Sequence, residues 1–138
     1  MGGLPATLTA YSQTLGPVRA SASVAGRVNL KDTVRTSQRR GQSVRRAYGG
    51  ASLSGHDPVN DFARFRGRLT PLLTVVSPQG TGVASAANGE RLAVLARRVG
   101  ADVRVVPVKG PHLFGGYMNA GIGRQIGEFF SAVTRGAL

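Results

Sequence analysis

The chain has no cysteine and no tryptophan, and only six of its 138 residues are acidic. The absence of cysteine excludes a disulfide scaffold and a thiolate metal site. The two histidines and the scattered carboxylates show no metal-ligand spacing, so we expect no metal and no cofactor. No apolar run approaches the roughly 18 residues of a membrane span, and the N-terminus lacks the pattern of a secretory signal. We therefore expect a virion or cytoplasmic protein that does not span a membrane.

Positive charge, by contrast, is abundant. The chain has 18 basic residues and a net charge of +12. Sixteen of the basic residues are arginines, whose planar guanidinium groups suit bidentate contacts with phosphate or carboxylate. Such a charge attracts polyanions, and it equally fits a basic subunit that pairs with acidic neighbours. The length of 138 residues indicates a single domain over residues 1–138.

The positive charge is concentrated in the N-terminal half. Between residues 19 and 46 the one acidic residue is Asp32, and the eight candidate contact residues are Arg19, Arg27, Lys31, Arg35, Arg39, Arg40, Arg45 and Arg46. No aromatic residue lies between Tyr11 and Tyr48, whereas modules that stack on bases need aromatics among their cations. The segment is therefore predicted to contact the phosphate backbone of DNA or RNA, or an acidic protein, without reading bases.

The hydrophobic pattern of the N-terminal half predicts a helix and then an extended segment. Apolar residues spaced three and four apart predict a helix over about residues 5–15. Small and apolar residues then alternate with polar ones over 18–30, which is typical of a strand with one buried and one solvated face. We interpret 17–50 as a basic extended segment or hairpin with a mobile tip over 35–50. Asp57 and Pro58 then predict a short helix ending near Gly67.

Residues 69–138 predict a compact α/β half. The pattern indicates a buried strand over 72–76, a helix that carries Leu92 and ends at Gly100, a second strand over 103–108, and a final helix before Gly136. The predicted fold class is mixed α+β. It comprises an N-terminal helix, a long amphipathic strand or arm, and a strand-helix-strand-helix unit packed on one sheet.

The final helix contains glycines, each of which costs about 0.5–1 kcal/mol relative to alanine. Gly123 and Gly127 lie four residues apart and so share a face, which would allow another backbone to approach closely. We predict a subunit-packing surface comprising Gly123, Gly127, Ile122, Ile126, Phe129 and Phe130. The alternative is a helix that begins only after Gly123.

Ser52 and His112 are the best catalytic candidates if the protein is an enzyme. Ser52 lies in GASLS, which lacks the last glycine of the G-x-S-x-G elbow and has no buried strand before it. His112, in VKGPH, follows a predicted strand and precedes a helix, and in this order about the last 65 residues resemble the histidine end of an α/β-hydrolase. The preceding loop SPQGTG has no carboxylate, so an ordinary turn histidine is the favoured interpretation and no catalytic residue is assigned.

We therefore expect a non-enzymatic structural subunit of a larger assembly. The assembly that we expect is a virion, and the expected role is that of a phage connector or tail-completion component. Such a component would form a homo-oligomer and contact neighbouring proteins. Its basic face would be turned towards DNA or an acidic neighbour. This expectation rests on analogy with a class of proteins. The alternatives are a nucleic-acid-binding or ribosome-associated protein that contacts the phosphate backbone, and an α/β-hydrolase-like fragment.

Overall fold

The computed structural model describes residues 3–12, 18–49, 52–64, 70–79, 83, 85–109 and 120–137. Its strands and α-helices, in chain order, are α1 (Gly3–Ser12), β1 (Ser21–Val24), α2 (Leu30–Thr36), α3 (Gln38–Ala47), β2 (Leu72–Val76), α4 (Gly89–Arg98), β3 (Val103–Pro107) and α5 (Ala120–Thr134). Two single 3-10 turns lie at Phe62–Arg64 and Ser85–Ala87. The predicted mixed α+β fold class is confirmed.

The three strands form one parallel sheet in the order β1-β2-β3. Ser21 of β1 and Val103 of β3 both pair with Leu72 of β2, which fixes the register across the sheet. All five residues of β2 are buried, as expected for a central parallel strand covered on both faces.

Two apolar clusters cover the two faces of the sheet. The first core contains Tyr11 of α1, Leu92 and Ala96 of α4, Leu72 of β2, and the loop residues Val28, Val59 and Phe62. The second core contains Leu73 and Val75 of β2, Val106 and Val108, and Ile122 and Phe129 of α5. Helices α1 and α4 therefore pack on one face of the sheet and α5 on the other. Of the helices in the described ranges, none is long and apolar enough to cross a bilayer.

The predicted long strand is wrong beyond residue 24. The strand β1 has four residues, and Ala25 then adopts a positive φ of 50°, which turns the chain. The polar residues of the alternation were predicted to lie on a solvated face, yet Ser21 and Ser23 are buried. Helix α1 covers that face, and the hydroxyl of Ser21 donates a hydrogen bond to the carbonyl of Ala6 at 3.2 Å. A small hydroxyl with a backbone partner can be buried at little cost.

The prediction of a basic extended segment over 17–50 is also wrong, because most of it is helical. Helix α2 begins after Asn29, whose side chain accepts a hydrogen bond from the backbone N–H of Asp32 at 2.9 Å. This is an N-cap, and it satisfies one of the donors that a helix start leaves open.

Helix α3 occupies most of the predicted loop over 35–50. It packs through Gly41, which is buried against α2 so closely that a Cβ there would lie 3.0 Å from the carbonyl oxygen of Val34. Glycine permits this close approach of two backbones. The sequence did not predict this helix, because its buried contact is made by a glycine and its sequence therefore shows no apolar stripe.

The helix predicted from Pro58 to near Gly67 is a turn followed by one 3-10 turn in the described part. Asp57 does cap the turn, since its Oδ1 accepts a hydrogen bond from the N–H of Asn60 at 3.3 Å. Val59 and Phe62 of this segment are buried in the first core. Gly67 lies outside the described residues.

The strand-helix-strand-helix prediction for the C-terminal half is confirmed. Strand β2 has the predicted bounds, and β3 ends one residue earlier than predicted, at Pro107. Gly100 follows α4 with a φ of 82°, and Gly136 follows α5 with a φ of 69°. Glycine tolerates this left-handed conformation, which commonly ends helices.

Candidate functional site

The eight basic residues predicted to form a contact surface lie on four consecutive pieces of the chain. Arg19 precedes β1 and is exposed, and Arg27 lies half-buried in the turn before α2. Lys31 and Arg35 are exposed on α2, and Arg35 forms an ion pair with Asp32 at 2.8 Å. The remaining four lie on α3. The predicted single outer face of a strand is thus replaced by a helical surface.

Helix α3 presents the densest positive charge in the described part of the chain. Arg39, Arg40, Arg45 and Arg46 are all exposed, and the ten residues of the helix include no acid. We call these four side chains the α3 surface. At 100° per residue, Arg39 and Arg46 lie on the side of the helix opposite the buried Gly41. Arg39 and Arg46 therefore point away from the rest of the fold, whereas Arg40 and Arg45 are exposed closer to the side that packs on α2.

Ion pairs among the described residues do not neutralise Arg39, Arg45 or Arg46. In the described ranges, the Arg35–Asp32 pair is the one ion pair, and no carboxylate bonds to the guanidinium groups of Arg39, Arg45 or Arg46. Arg39 and Arg40 lie in the first turn of α3, where the helix dipole disfavours a cation by about 0.3–1 kcal/mol. Helix stability therefore does not account for them.

Arg27 shows that positive charge is crowded here. Burial lowers the pKa of its guanidinium, the neighbouring charge of Arg40 lowers it further, and Asp32 acts in the opposite direction. The structure thus brings together two predicted contact residues that are 13 positions apart in the sequence. A bound anion would relieve the repulsion between them.

A group of hydrogen-bonded polar side chains, which the sequence analysis missed, lies beyond the carboxyl ends of β1 and β2. We call it the polar cluster: Asn29, Asp32, Asp57, Asn60 and Asn88. The side chain of Asn88 accepts a hydrogen bond from the N–H of Asn29 at 2.9 Å and donates one to Asp32 at 3.4 Å. Asn60 donates to both Asn29 and Asp57 at 2.8 Å.

The polar cluster acts as a structural tie. Asp57 is only 1% exposed, and its Oδ2 also accepts a hydrogen bond from the backbone N–H of Lys31 at 3.0 Å. Donors of α2 and of the following loop thus surround the carboxylate, as a buried charge requires. Asn29 and Asp32 stand three residues apart at the start of a helix, and this capping pattern was the sequence signal available for the cluster.

The structure gives Ser52 no nucleophile elbow. An elbow needs a strand before the serine, whereas the element that precedes Ser52 is the helix α3. Ser52 is exposed, and its hydroxyl accepts a hydrogen bond from the N–H of Ser54 at 3.1 Å, an ordinary turn contact. His112 lies outside the described residues, in the segment that joins the carboxyl end of β3 to α5.

Three of the six predicted subunit-packing residues of α5 pack inside the molecule. Ile122 and Phe129 are buried in the second core and Ile126 packs against it, so these three are not available to another subunit. Gly123 and Gly127 lie on the exposed side, where an added Cβ would meet nothing within 4 Å, and Phe130 is 39% exposed. The interpretation that the glycines serve subunit packing stays a prediction.

Metal sites and similarity to known proteins add no further assignment. Among the residues that the structure describes, no group of three His, Cys, Asp or Glu side chains could hold a metal ion. The chain matches no protein-family model and no curated protein sequence.

Proposed function

We propose that this protein is a non-enzymatic subunit that binds the phosphate backbone of a nucleic acid through the α3 surface. The observation that carries the proposal is the crowding of four exposed arginines on a ten-residue helix without an acid. Arginine side chains and phosphate oxygens form charge-assisted, often bidentate hydrogen bonds. Phosphate would supply the negative charge that the described carboxylates do not bring to Arg39, Arg45 and Arg46.

The proposed contact is independent of sequence. Helices α2 and α3 contain no aromatic side chain on which a base could stack. Phosphate contacts orient a protein on nucleic acid but carry no sequence information directly. We therefore expect the same affinity for duplexes of different sequence.

A larger assembly is the proposed setting. In a virion component of the connector or tail-completion class, the α3 surface would face packaged DNA or an acidic neighbour. The extended arm that favoured this class in the sequence is absent, so the proposal now rests on the charged surface. The mass of the native complex at low and high salt tests it: a protein assembly persists without nucleic acid, whereas a complex held by phosphate dissociates as salt rises.

Duplex DNA binding tests the role of the α3 surface directly. We expect the wild-type chain to bind a fluorescent duplex at low salt. The logarithm of its binding constant should fall linearly with the logarithm of the salt concentration. In the variant Arg39→Gln/Arg40→Gln/Arg45→Gln/Arg46→Gln, this salt dependence should become shallower. The magnitude of its slope should decrease by about three to four, because each lost phosphate contact contributes about 0.9.

A matched control separates this surface from net charge. The variant Arg91→Gln/Arg98→Gln/Arg124→Gln/Arg135→Gln also removes four exposed arginines, but from α4, α5 and the residue after α5. We expect its salt slope to stay close to that of the wild-type chain. Equal losses in the two variants, or no binding by the wild-type chain at low salt, would contradict the proposal.

A second candidate function is that of an α/β-hydrolase-type catalytic domain or fragment. Its support is the parallel order β1-β2-β3, with α4 and α5 on opposite faces of the sheet. In open α/β sheets, ligands bind outside the carboxyl ends of the strands. The chain leaves β3 at that edge and reaches His112 five residues after the strand ends.

Hydrolysis of a p-nitrophenyl ester distinguishes the two candidates. The hydrolase candidate predicts turnover that His112→Ala abolishes and that His56→Ala, at the other histidine, leaves unchanged. A fluorophosphonate probe followed by peptide mass spectrometry would then identify the nucleophile. Turnover that survives His112→Ala, or no turnover at all by the wild-type chain, would contradict this candidate.

A further inference from the structure

Along one edge of the sheet, formed by β1, the peptide groups have no partner strand among the described residues. On β1, the N–H of Ser21 donates to the carbonyl of Pro71 at 3.0 Å, and the N–H of Ala25 donates to that of Val75 at 2.9 Å. Odd-numbered residues of β1 therefore bond to β2, and the peptide groups of Ala22 and Val24 point the other way. No hydrogen bond to these groups occurs within the described part of the chain.

The opposite edge of the sheet is protected. On β3 the even-numbered residues face β2, since Leu72 donates to Asp102 and Val108 donates to Val76. Val103 and Pro107 therefore face outward. The guanidinium of Arg97 donates to the carbonyl of Val103 at 3.0 Å, and Pro107 has no N–H to offer. Side-chain caps and prolines are devices by which proteins block unwanted strand pairing.

The β1 edge has none of these devices. Its sequence, Ser-Ala-Ser-Val, contains no charge and no proline. Ala22 and Val24 are only half-buried, and both pack against the second core. An added strand would satisfy their peptide groups and complete the burial of their side chains.

Charge indicates what kind of strand fits. Arg19 and Arg27 flank β1 on its two sides in the sequence. A second copy of β1 would bring its own Arg19 and Arg27 to the same edge. Like charges brought together destabilise a strand pair. A segment with carboxylates near its ends would instead complement both arginines.

We propose that the β1 edge receives an extended segment of another protein, apolar at its centre and acidic at its ends. The segment joins the sheet by backbone hydrogen bonds to Ala22 and Val24, as in other cases of strand addition. This interaction is separate from the proposed phosphate contact, because it uses the sheet edge and not the α3 surface.

The probe is a fluorescent peptide with a Val/Thr core of about five residues, a typical strand length, and Glu at both ends. We expect it to bind the full chain at least ten-fold more tightly than the same peptide with Lys at both ends. Hydrogen exchange of the Ala22 and Val24 amides should slow when the Glu-ended peptide is added, because these amides become donors to the added strand.

Proline substitution tests the edge itself. Val24→Pro removes an N–H that points away from β2, so no existing ladder bond is lost, and Val105→Pro is the equivalent change on the protected edge. Binding of the Glu-ended peptide should fall at least ten-fold in Val24→Pro and stay unchanged in Val105→Pro. The circular dichroism spectrum of each variant shows whether it folds. If a variant does not fold, the hydrogen-exchange measurement on the wild-type chain still tests the proposal.

Three outcomes would overturn the proposal. The first is that neither peptide binds the wild-type chain at millimolar concentration. The second is that addition of the peptide slows exchange at Val105 and not at Ala22 and Val24. The third is a free chain that sediments as a dimer and becomes a monomer in Val24→Pro, because a second copy would then occupy the edge.

Discussion

Residues 18–64 and 70–134 differ in what holds them, because the N-terminal region adds a buried polar tie to its share of the first core. In the N-terminal region, the polar cluster joins α2, the loop around Asp57 and the start of α4 through side-chain hydrogen bonds. In the C-terminal region, the strands and helices are held by apolar contacts, with Phe129 and Leu92 at 1% and 0% exposure. Apolar packing leaves a periodic pattern in the sequence, whereas a polar tie between distant residues does not.

The largest expected effect is the loss of apolar packing in the C-terminal region. Phe129→Ala should lower the free energy of unfolding by about 3–5 kcal/mol, because it leaves a cavity in the second core. Phe130→Ala, which removes the adjacent and partly exposed ring, should cost less than about 1 kcal/mol. Urea denaturation of both variants measures the difference, and similar losses would contradict the buried position of Phe129.

A smaller effect is expected when the polar tie is broken. Asp57→Ala should lower the free energy of unfolding by about 3 kcal/mol, because the donors of Lys31 and Asn60 lose their buried partner. Asp102→Ala removes the same charge from an exposed position and should change stability by about 0.5 kcal/mol or less. If both variants unfold at the same urea concentration, the polar cluster does not hold the N-terminal region.

The smallest effects concern glycines. Gly89 lies where α4 meets β2, and an added Cβ would stand 2.6 Å from Cγ1 of Val76 and 2.8 Å from Oγ1 of Thr74. Gly89→Ala should therefore destabilise the fold by about 1–3 kcal/mol. Gly123→Ala meets open space on α5 and should stabilise by about 0.5–1 kcal/mol. Thermal denaturation shows whether each variant is more or less stable than the wild-type chain. A destabilised Gly123→Ala chain would instead favour the predicted subunit contact.

The sequence predicted the strands of the C-terminal region and the ends of its two helices to within two residues of their observed bounds. There the apolar residues 72–76 and the stripe containing Leu92 report directly on burial. It failed over 25–47 for two physical reasons. First, the turn at Ala25 and the N-cap at Asn29 end the strand, although the alternation of apolar and polar residues continues in the sequence. Second, α3 packs through Gly41, which adds no apolar side chain to the pattern.

For the candidate site, the sequence supplied the residues but not their arrangement. All four arginines of the α3 surface were named in advance, because composition alone identifies exposed cations. Their placement on a helix, and the approach of Arg40 to Arg27, depends on how α3 is seated on α2. The polar cluster was missed because the residues that its bonds join are as many as 59 positions apart.

The sequence by itself determined the net charge, the lack of thiol chemistry and the alternating strands and helices of the C-terminal region, since each follows from residue type or local periodicity. Only the tertiary structure decided that β1 ends after four residues, that Ser21 and Ser23 are buried, and that one edge of the sheet is open while the other is capped. These features depend on which backbone groups find partners. That pairing is settled between segments far apart in the chain.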